Sequence, residues 1–142
     1  MRVTIGDVMT EDFVRVMVTN ALGAMRCVEA FSPLVDARGT IAVMSSALGS
    51  ISGNGPDGSP GWEVYRASKA ALNMLLRSFA ARHADKRTIV AIAPGWSRTE
   101  MGGTDAPLEP EESIRGVLAT LDGLYDSGKR GFFDYKGQSV GW

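Results

Sequence analysis

The sequence predicts an α/β fold in which helices alternate with the strands of a parallel sheet. Two observations carry this prediction: apolar segments of helical period and short apolar runs alternate along the chain, and no two runs are adjacent. Helices are predicted over 11–31, 62–83 and 111–125, and strands over 39–44, 88–93 and 131–135. Because a helix separates each strand from the next, the connections are crossovers and the strands are expected to run parallel.

The two long helices are predicted from apolar residues that recur three or four positions apart. In the first helix these are Phe13, Val14, Met17, Val18, Leu22, Met25 and Val28, and in the second Val64, Ala67, Ala71, Leu72, Leu75, Leu76 and Phe79. This spacing gives each helix an apolar stripe along one face. Between the first strand and the second helix, residues 47–61 are rich in Gly, Ser and Pro, and a loop of that length is typical of a functional segment.

The first two strands are predicted from short apolar runs, Gly39–Met44 and Thr88–Ala93. Their continuous apolar character is typical of strands that are buried on both faces of a parallel sheet. A three-stranded parallel sheet is small, and at least one strand edge is expected to lack a partner. On these grounds alone the architecture looks incomplete.

Length and composition exclude several classes of function. The chain has 142 residues, of which 44% are hydrophobic and 22% charged, with a formal net charge of −1, as expected for one globular domain. The mixed charges give no reason to expect nucleic acid or an anionic membrane as a partner. The sequence shows neither a signal peptide nor a stretch as long as a membrane span, so we expect a cytoplasmic protein. The single cysteine, Cys27, is expected to be a buried free thiol, and no residue cluster has metal-ligand spacing.

The second helix carries Tyr65 and Lys69, four positions apart. Residues at that spacing lie on one helix face, so the hydroxyl and the ammonium can address the same small volume. A phenol ordinarily has a pKa of about 10, and a fixed positive charge nearby favours its ionised form, which suits proton exchange with a substrate. Taken alone, the pair is a weak signal, because Tyr-x-x-x-Lys arises by chance in many chains and is more often a surface helix pair of no function.

Polar residues follow the first two strands at the point where each one ends. Ser45-Ser46 comes after the first strand and Pro94-Gly95 after the second. Open parallel sheets place their ligands at these carboxyl ends. A serine hydroxyl there can donate to a substrate carbonyl, and a Pro-Gly turn allows a flat ring to lie close to the backbone. Each signal by itself is more typical of an ordinary loop or turn.

Together these signals resemble the short-chain dehydrogenase/reductase family. The resemblance extends over the whole chain and includes Asn20, within Val18–Gly23. Within the family, the chain is most similar to the carbonyl-reductase-like branch that includes C-factor-type proteins, through the stretches at 44–51, 94–96, 99–103 and 131–137. The resemblance implies the C-terminal part of a Rossmann-like doubly wound sheet, an oxidoreductase activity and the use of NADP or NAD.

The resemblance also implies roles for individual residues. Tyr65 resembles the general acid/base that exchanges a proton with the carbonyl oxygen, and Lys69 resembles the residue that favours the phenolate and binds the nicotinamide ribose. Ser46, rather than Ser45, resembles the serine that orients the substrate. Asn20 resembles the helix asparagine that helps to hold a proton-relay water.

Cofactor contacts are implied as well: Tyr65, Lys69, Pro94, Gly95 and Thr99 resemble the residues that contact the nicotinamide end. The family also has a glycine-rich turn after its first strand and an acidic or basic ribose selector after its second, and neither is found here. We therefore expect the N-terminal βαβ half to be missing from this chain and dinucleotide binding by the chain alone to be weak or absent.

One segment satisfies the Gly-x-Gly-x-x-Gly pattern without its context: Gly53-Asn54-Gly55-Pro56-Asp57-Gly58. A dinucleotide-binding turn joins a strand directly to a helix N-terminus. Here seven residues separate Ser45 from Gly53, and Pro56 removes a backbone donor. We interpret the segment as a loop on the substrate side.

Two functions remain open from the sequence. The first is NAD(P)-dependent hydride transfer between the cofactor and a carbonyl or secondary alcohol, with the nucleotide-binding half supplied by another chain. The second is a non-catalytic α/β module that dimerises, with itself or with a full-length relative. For either, helices 11–31 and 62–83 resemble the pair through which family members associate, so we expect a homo-oligomer. Hydrolysis by a Ser46–Lys69 pair is disfavoured, because no oxyanion-hole motif accompanies it.

Overall fold

A computed structural model describes residues 4–54 and 61–142 of the chain. The helices are α1 (Thr10–Met17), α2 (Ala24–Phe31), α3 (Glu63–Arg82) and α4 (Pro110–Leu124), with a π-helical segment (Val18–Gly23) between α1 and α2. The strands are β1 (Thr40–Met44), β2 (Thr88–Ala93) and β3 (Arg130–Asp134). Short 3₁₀ turns occupy Ile5–Asp7, Ser32–Leu34 and Ala47–Gly49. The predicted order of helices and strands is confirmed.

The three strands form one parallel sheet in the order β1–β2–β3. Thr40 pairs with Thr88 at the start of the first ladder, and Ile89 pairs with Arg130 at the start of the second. β2 lies in the middle, and all six of its residues are buried. The prediction of an α/β fold with a three-stranded parallel sheet is therefore confirmed, and the carboxyl ends of all three strands lie at one edge.

The main core lies on the side of the sheet that α3 covers. Leu72, Leu76 and Phe79 of α3 are at most 1% exposed and pack against one face of the strands. That face consists of Ile41, Val43, Ile89, Ala91, Ala93 and Phe132. On the opposite side a smaller cluster joins α4, through Val117 and Leu124, to Val90 and Ile92 of β2. Hydrophobic burial on both sides therefore fixes β2 between two layers of helix.

β1 departs from the prediction that it is buried on both faces. Ile41 and Val43 are buried, but Ala42 and Met44 are exposed, Met44 by 46%. The physical reason is that α4 packs over β2, and within residues 4–54 and 61–142 nothing covers the same face of β1. A continuous apolar run thus becomes a strand with one packed face.

The predicted helix over 11–31 is continuous in direction but not in type. Its middle turn, Val18–Gly23, adopts the wider π form, which accommodates one more residue per turn. Ala21 and Met25 point into the core, whereas Cys27 is exposed. The prediction of a buried thiol was wrong, because Cys27 lies on the outer face of α2, two positions after the buried Met25.

α1, the π-helical segment and α2 together form the first helical unit, and Arg87 anchors the start of β2 to Ser32, the residue that follows this unit. Its Nη1 donates to the carbonyl oxygen of Ser32 at 2.6 Å, and its Nε donates to the Asp85 carboxylate at 2.9 Å. The side-chain hydrogen bond from Arg87 lowers the pKa of Asp85 to about 2. This ion pair therefore stabilises the folded chain wherever Asp85 is ionised.

Separately, none of the described helices is long and apolar enough to cross a bilayer.

Candidate active site

A cavity of about 270 Å³ lies beside the N-terminal end of α3, facing the first helical unit. It is lined by Val8, Asp12, Val16, Asn20, Trp62, Val64, Tyr65, Lys69 and Met101. The structure thus brings Asn20, Tyr65 and Lys69 together, three residues that the sequence predicts as catalytic. Ser46, Pro94, Gly95 and Thr99 are not among the residues that line it.

Tyr65 lies in the first turn of α3, directly after an unusual helix start. Trp62 precedes the helix in a left-handed conformation, with φ at 61°, and its ring meets the Tyr65 ring edge-on at 6.0 Å between centroids. One helical turn later, Lys69 places its Nζ 5.8 Å from the centroid of the Tyr65 ring. As the i, i+4 spacing predicts, the Tyr65 phenol and the Lys69 ammonium therefore lie on the same helix face and line the same cavity.

Lys69 is fixed by the end of β1. Its Nζ donates to the carbonyl oxygen of Met44 at 2.9 Å, and partial burial lowers the pKa of Lys69. Gly49 makes the approach possible, because a Cβ at that position would come within 2.7 Å of the Lys69 Cβ. An ammonium has three N–H donors, so two remain after the bond to Met44.

The two serines after β1 have different environments. Ser45 is buried, and its Oγ donates to Oδ1 of Asn73 at 2.6 Å. Ser46 is only half-buried, and its Oγ accepts from the backbone N–H of Leu48 at 3.2 Å. That bond leaves the Ser46 hydroxyl hydrogen for another acceptor. Ser45 thus serves the packing of α3 onto β1, and Ser46 is the one of the pair with donor capacity to offer.

Asn20 lies in the π-helical segment and is tied to α3. Its Nδ2 donates to Oγ of Ser68 at 3.0 Å, and Ser68 Oγ donates to the carbonyl oxygen of Tyr65 at 2.7 Å. Ser68 is fully buried. This chain of hydrogen bonds joins the two helices next to the cavity. Single-turn π segments occur frequently at functional sites.

The turn after β2 lies apart from the cavity. Gly95 has a positive φ of 87°, and a Cβ there would come within 2.6 Å of Leu108. The Pro94 carbonyl oxygen accepts from Ser113 Oγ at 2.6 Å, and Thr99 Oγ1 accepts from the Gly102 N–H at 3.1 Å. A glycine is therefore required in this turn. Thr99 belongs to a separate surface depression together with its neighbours in 98–104.

Sequence reasoning missed several residues of the site. Ser68 carries no signal except its position between Tyr65 and Lys69, and Gly49 is one of several glycines in a loop. Asp12 falls in the first turn of a helix, where an acidic residue is ordinary. Met101 would have been found only by knowing how the chain folds back after β2. Within residues 4–54 and 61–142, no group of three His, Cys, Asp or Glu side chains could hold a metal ion. Gly55 to Gly58, the end of the glycine pattern in the loop, lie outside the described residues.

Comparison with known proteins identifies the family to which this arrangement belongs. The short chain dehydrogenase family matches residues 1–109. The C-signal protein of Myxococcus xanthus is 40% identical over 97% of this chain and 83% of its own length. The chain belongs to the short-chain dehydrogenase/reductase family.

Solved structures of family members superpose closely on the chain. A short-chain dehydrogenase/reductase from Burkholderia multivorans with bound NADP is 48% identical, with a TM-score of 0.93, over 99% of this chain and 60% of its own. The carbonyl reductase Sniffer of D. melanogaster is 31% identical, with a TM-score of 0.88, over 100% of this chain and 62% of its own. The chain therefore spans about three fifths of the length of these structures, and its fold is the Rossmann-like fold of the family.

Proposed function

We propose that this chain contributes the catalytic side of an NAD(P)-dependent oxidoreductase that interconverts a carbonyl and a secondary alcohol. The observation that carries the proposal is that Tyr65 and Lys69 line one cavity, with Lys69 held by the Met44 carbonyl. The relative from Burkholderia multivorans binds NADP, and Sniffer is a carbonyl reductase. Both support the assignment of cofactor and substrate class to this chain.

The proposed reduction takes the role of each residue from its resemblance to the family; Tyr65 and Lys69 line the cavity, and Ser46 lies outside its lining. Ser46 donates a hydrogen bond to the substrate carbonyl oxygen and polarises the C=O bond. Tyr65 gives its phenolic proton to that oxygen as the carbonyl carbon gains a C–H bond, and Lys69 stabilises the resulting phenolate. A bound nicotinamide would supply the hydride. Asn20 holds the Ser68–Tyr65 hydrogen-bond chain in position and, as in the family, supports a proton-relay water that returns a proton to Tyr65.

Lys69 has free hydrogen-bond donors that could bind the hydroxyl groups of the nicotinamide ribose. Two of its three N–H groups remain after the bond to Met44, and ribose hydroxyls are suitable acceptors. By the resemblance to the family, Pro94, Gly95 and Thr99 would contact the nicotinamide ring; their turn lies apart from the cavity that Tyr65 and Lys69 line. Together these residues would hold only the nicotinamide end of NADP or NAD.

We further propose that this chain binds the dinucleotide weakly by itself. Much of the affinity for a dinucleotide arises where its pyrophosphate meets a helix N-terminus after a glycine-rich turn. In the described part of the chain no such turn joins a strand to a helix. Hydride transfer would then be impaired unless another polypeptide supplies that region.

Calorimetric titration of the purified chain with NADPH and then NADH tests the weak binding. The expected result is no saturation at micromolar cofactor. A micromolar Kd for either cofactor would contradict the proposed impairment and leave the catalytic assignment standing.

Turnover tests the catalytic assignment itself. Reduction of an aromatic aldehyde is followed by NADPH absorbance at millimolar NADPH, so that weak binding is compensated. Tyr65→Phe should lower the rate by about 10²–10⁴-fold, the usual contribution of a general acid. Tyr125→Phe, which alters an exposed tyrosine at the end of α4, is the matched control and should leave the rate unchanged. Equal rates for the two variants would contradict the role of Tyr65.

A second candidate function, a dimerising module, is favoured by an exposed apolar ridge on the first helical unit. Val14, Val18 and Leu22 recur every four residues and are 49%, 45% and 40% exposed. Such a ridge is typical of a surface that a second helix covers. In sedimentation experiments, Val18→Glu should convert dimer to monomer, while Leu34→Glu, which charges an exposed residue outside the ridge, should not. A monomeric wild-type chain at high concentration would contradict this candidate.

A further inference from the structure

Asp12 introduces a negative charge into a cavity whose wall is otherwise mostly apolar. Six of the nine residues that line the cavity are apolar or aromatic: Val8, Val16, Trp62, Val64, Tyr65 and Met101. Among the described lining residues, Asp12 is the single carboxylate and Lys69 the single cationic side chain. Nothing in the proposed proton transfer uses Asp12.

One of the two carboxylate oxygens of Asp12, Oδ2, remains available to a ligand. Its Oδ1 pairs with Arg15, one helical turn along α1, and the side chains of Arg15 and Asp12 are 69% and 33% exposed. Exposed pairs of this kind hold together weakly, because both groups are well solvated. Arg15 does not line the cavity, and it faces the neighbouring groove on α1. Asp12 therefore leaves a partly compensated negative charge on its part of the cavity wall.

The two charges differ in what they face. Lys69 lies beside Tyr65, where its ammonium is held by the Met44 carbonyl. Asp12 projects from the other wall, on α1, which packs against α3. The Trp62 ring lines the same cavity, and the faces of aromatic rings attract cations. A ligand whose carbonyl reaches Tyr65 thus meets a carboxylate and an aromatic ring at another point of the cavity.

We propose that Asp12 is a specificity-determining residue, which selects apolar carbonyl compounds that carry a cationic or hydrogen-bond-donating group and rejects those that carry a carboxylate. This inference rests on the proposed function, because it names the substrate class of the same cavity. The size of the effect is limited by solvent, since a third of the Asp12 side chain is exposed. A unit charge at that screening changes binding by about threefold to tenfold.

Three aldehydes of similar shape provide the test: 4-(trimethylammonio)benzaldehyde, benzaldehyde and 4-carboxybenzaldehyde. Binding to the full chain is followed by the NMR signal of the Trp62 indole N–H, assigned with Trp62→Phe. The cationic aldehyde should bind about fivefold more tightly than benzaldehyde, and the carboxylate about fivefold more weakly. In Asp12→Asn the three aldehydes should bind with similar affinities.

The matched control is Glu11→Gln, which removes the same charge from the adjacent position in the first turn of α1 without touching the cavity. It should preserve the order of the three aldehydes. Arg15→Gln, which leaves Asp12 intact and unpaired, should increase the preference for the cation. It keeps the test decisive if Asp12→Asn does not fold.

Other outcomes overturn the inference. These are an unchanged order in Asp12→Asn, an equal loss of order in Glu11→Gln, or no response of the Trp62 signal to any of the three aldehydes. Failure of the proposed function looks different: the three aldehydes then bind in the expected order, but none is reduced at millimolar NADPH. Conversely, reduction of all three with equal kcat/KM supports the proposed function and rejects the role of Asp12.

Discussion

The two faces of β1 differ in packing although their residues are equally apolar. Ile41 and Val43 are buried in the main core, together with Ala21, Met25 and apolar residues of α3, and the alternation continues to the buried Ser45. Ala42 and Met44 point to the opposite side and are exposed. Yet the Met44 carbonyl is the group that holds Lys69. The strand end that positions the candidate catalytic lysine is therefore packed on one face only, against the main core.

The largest loss of unfolding free energy is expected from a substitution in the main core, against which the buried face of β1 packs. Phe79→Ala removes a side chain that is 0% exposed in the main core and should lower the free energy of unfolding by about 3–5 kcal/mol. Met44→Ala, on the exposed face of β1, should change it by about 0.5 kcal/mol or less. Urea unfolding of both variants measures the difference. Comparable losses for the two would show that the exposed face is packed in solution.

A smaller effect is expected where α3 approaches the loop after β1. Gly49→Ala places a Cβ 2.7 Å from the Lys69 Cβ and should cost about 1–3 kcal/mol of unfolding free energy. Gly123→Ala, in α4, meets nothing within 4 Å and should stabilise the chain by about 0.4–1 kcal/mol. Thermal unfolding distinguishes the two signs. A stabilising Gly49→Ala would rule out the close contact.

At the end of β1, the adjacent residues Ser45 and Ser46 also differ in burial and in hydrogen bonding. Ser45→Ala leaves Oδ1 of the buried Asn73 without its donor and should cost about 1–2 kcal/mol. Ser46→Ala removes only the acceptor for the Leu48 N–H and should cost about 0.5 kcal/mol, while lowering the rate of carbonyl reduction. Denaturant unfolding together with NADPH turnover measures both. A stable Ser45→Ala combined with lost turnover would reverse their assigned roles.

The smallest effect appears at acidic pH, away from β1. Asp85 has its pKa lowered to about 2 by the hydrogen bond from Arg87, so its contribution to stability is present above the unfolded value near 3.8 and is lost as pH falls through about 2. In Asp85→Asn the unfolding free energy should differ from wild type by a constant amount above pH 5, and the difference should shrink between pH 4 and pH 2. A difference independent of pH would contradict the pairing with Arg87.

The sequence predicts most of the fold because strand and helix periods are local. β2 has the predicted bounds 88–93, and β1, β3 and α4 lie within one residue of theirs. The exposed face of β1 was not predictable, because an apolar run has the same pattern whether or not a layer covers it. Tyr65 and Lys69 were predicted as site residues because their spacing of four positions along a helix is visible in the sequence. Asp12 and Gly49 were not, because they reach the site only through the packing of α1 and the Ala47–Gly49 turn against α3.

The π turn at Val18–Gly23 sets the orientation of everything that precedes it. One additional residue in a turn rotates the preceding part of a helix by about 100° relative to an unbroken α-helix. This turn therefore determines which face of α1 lies toward the cavity, and Asp12 and Val16 line the same cavity as Tyr65. Deleting one residue from the turn would restore a regular helix and turn both side chains about a quarter of the way around its axis. The rotation of α1 about its axis thus decides which of its side chains line the cavity. That rotation is set by the π segment, which contributes a single side chain, Asn20, to the cavity wall.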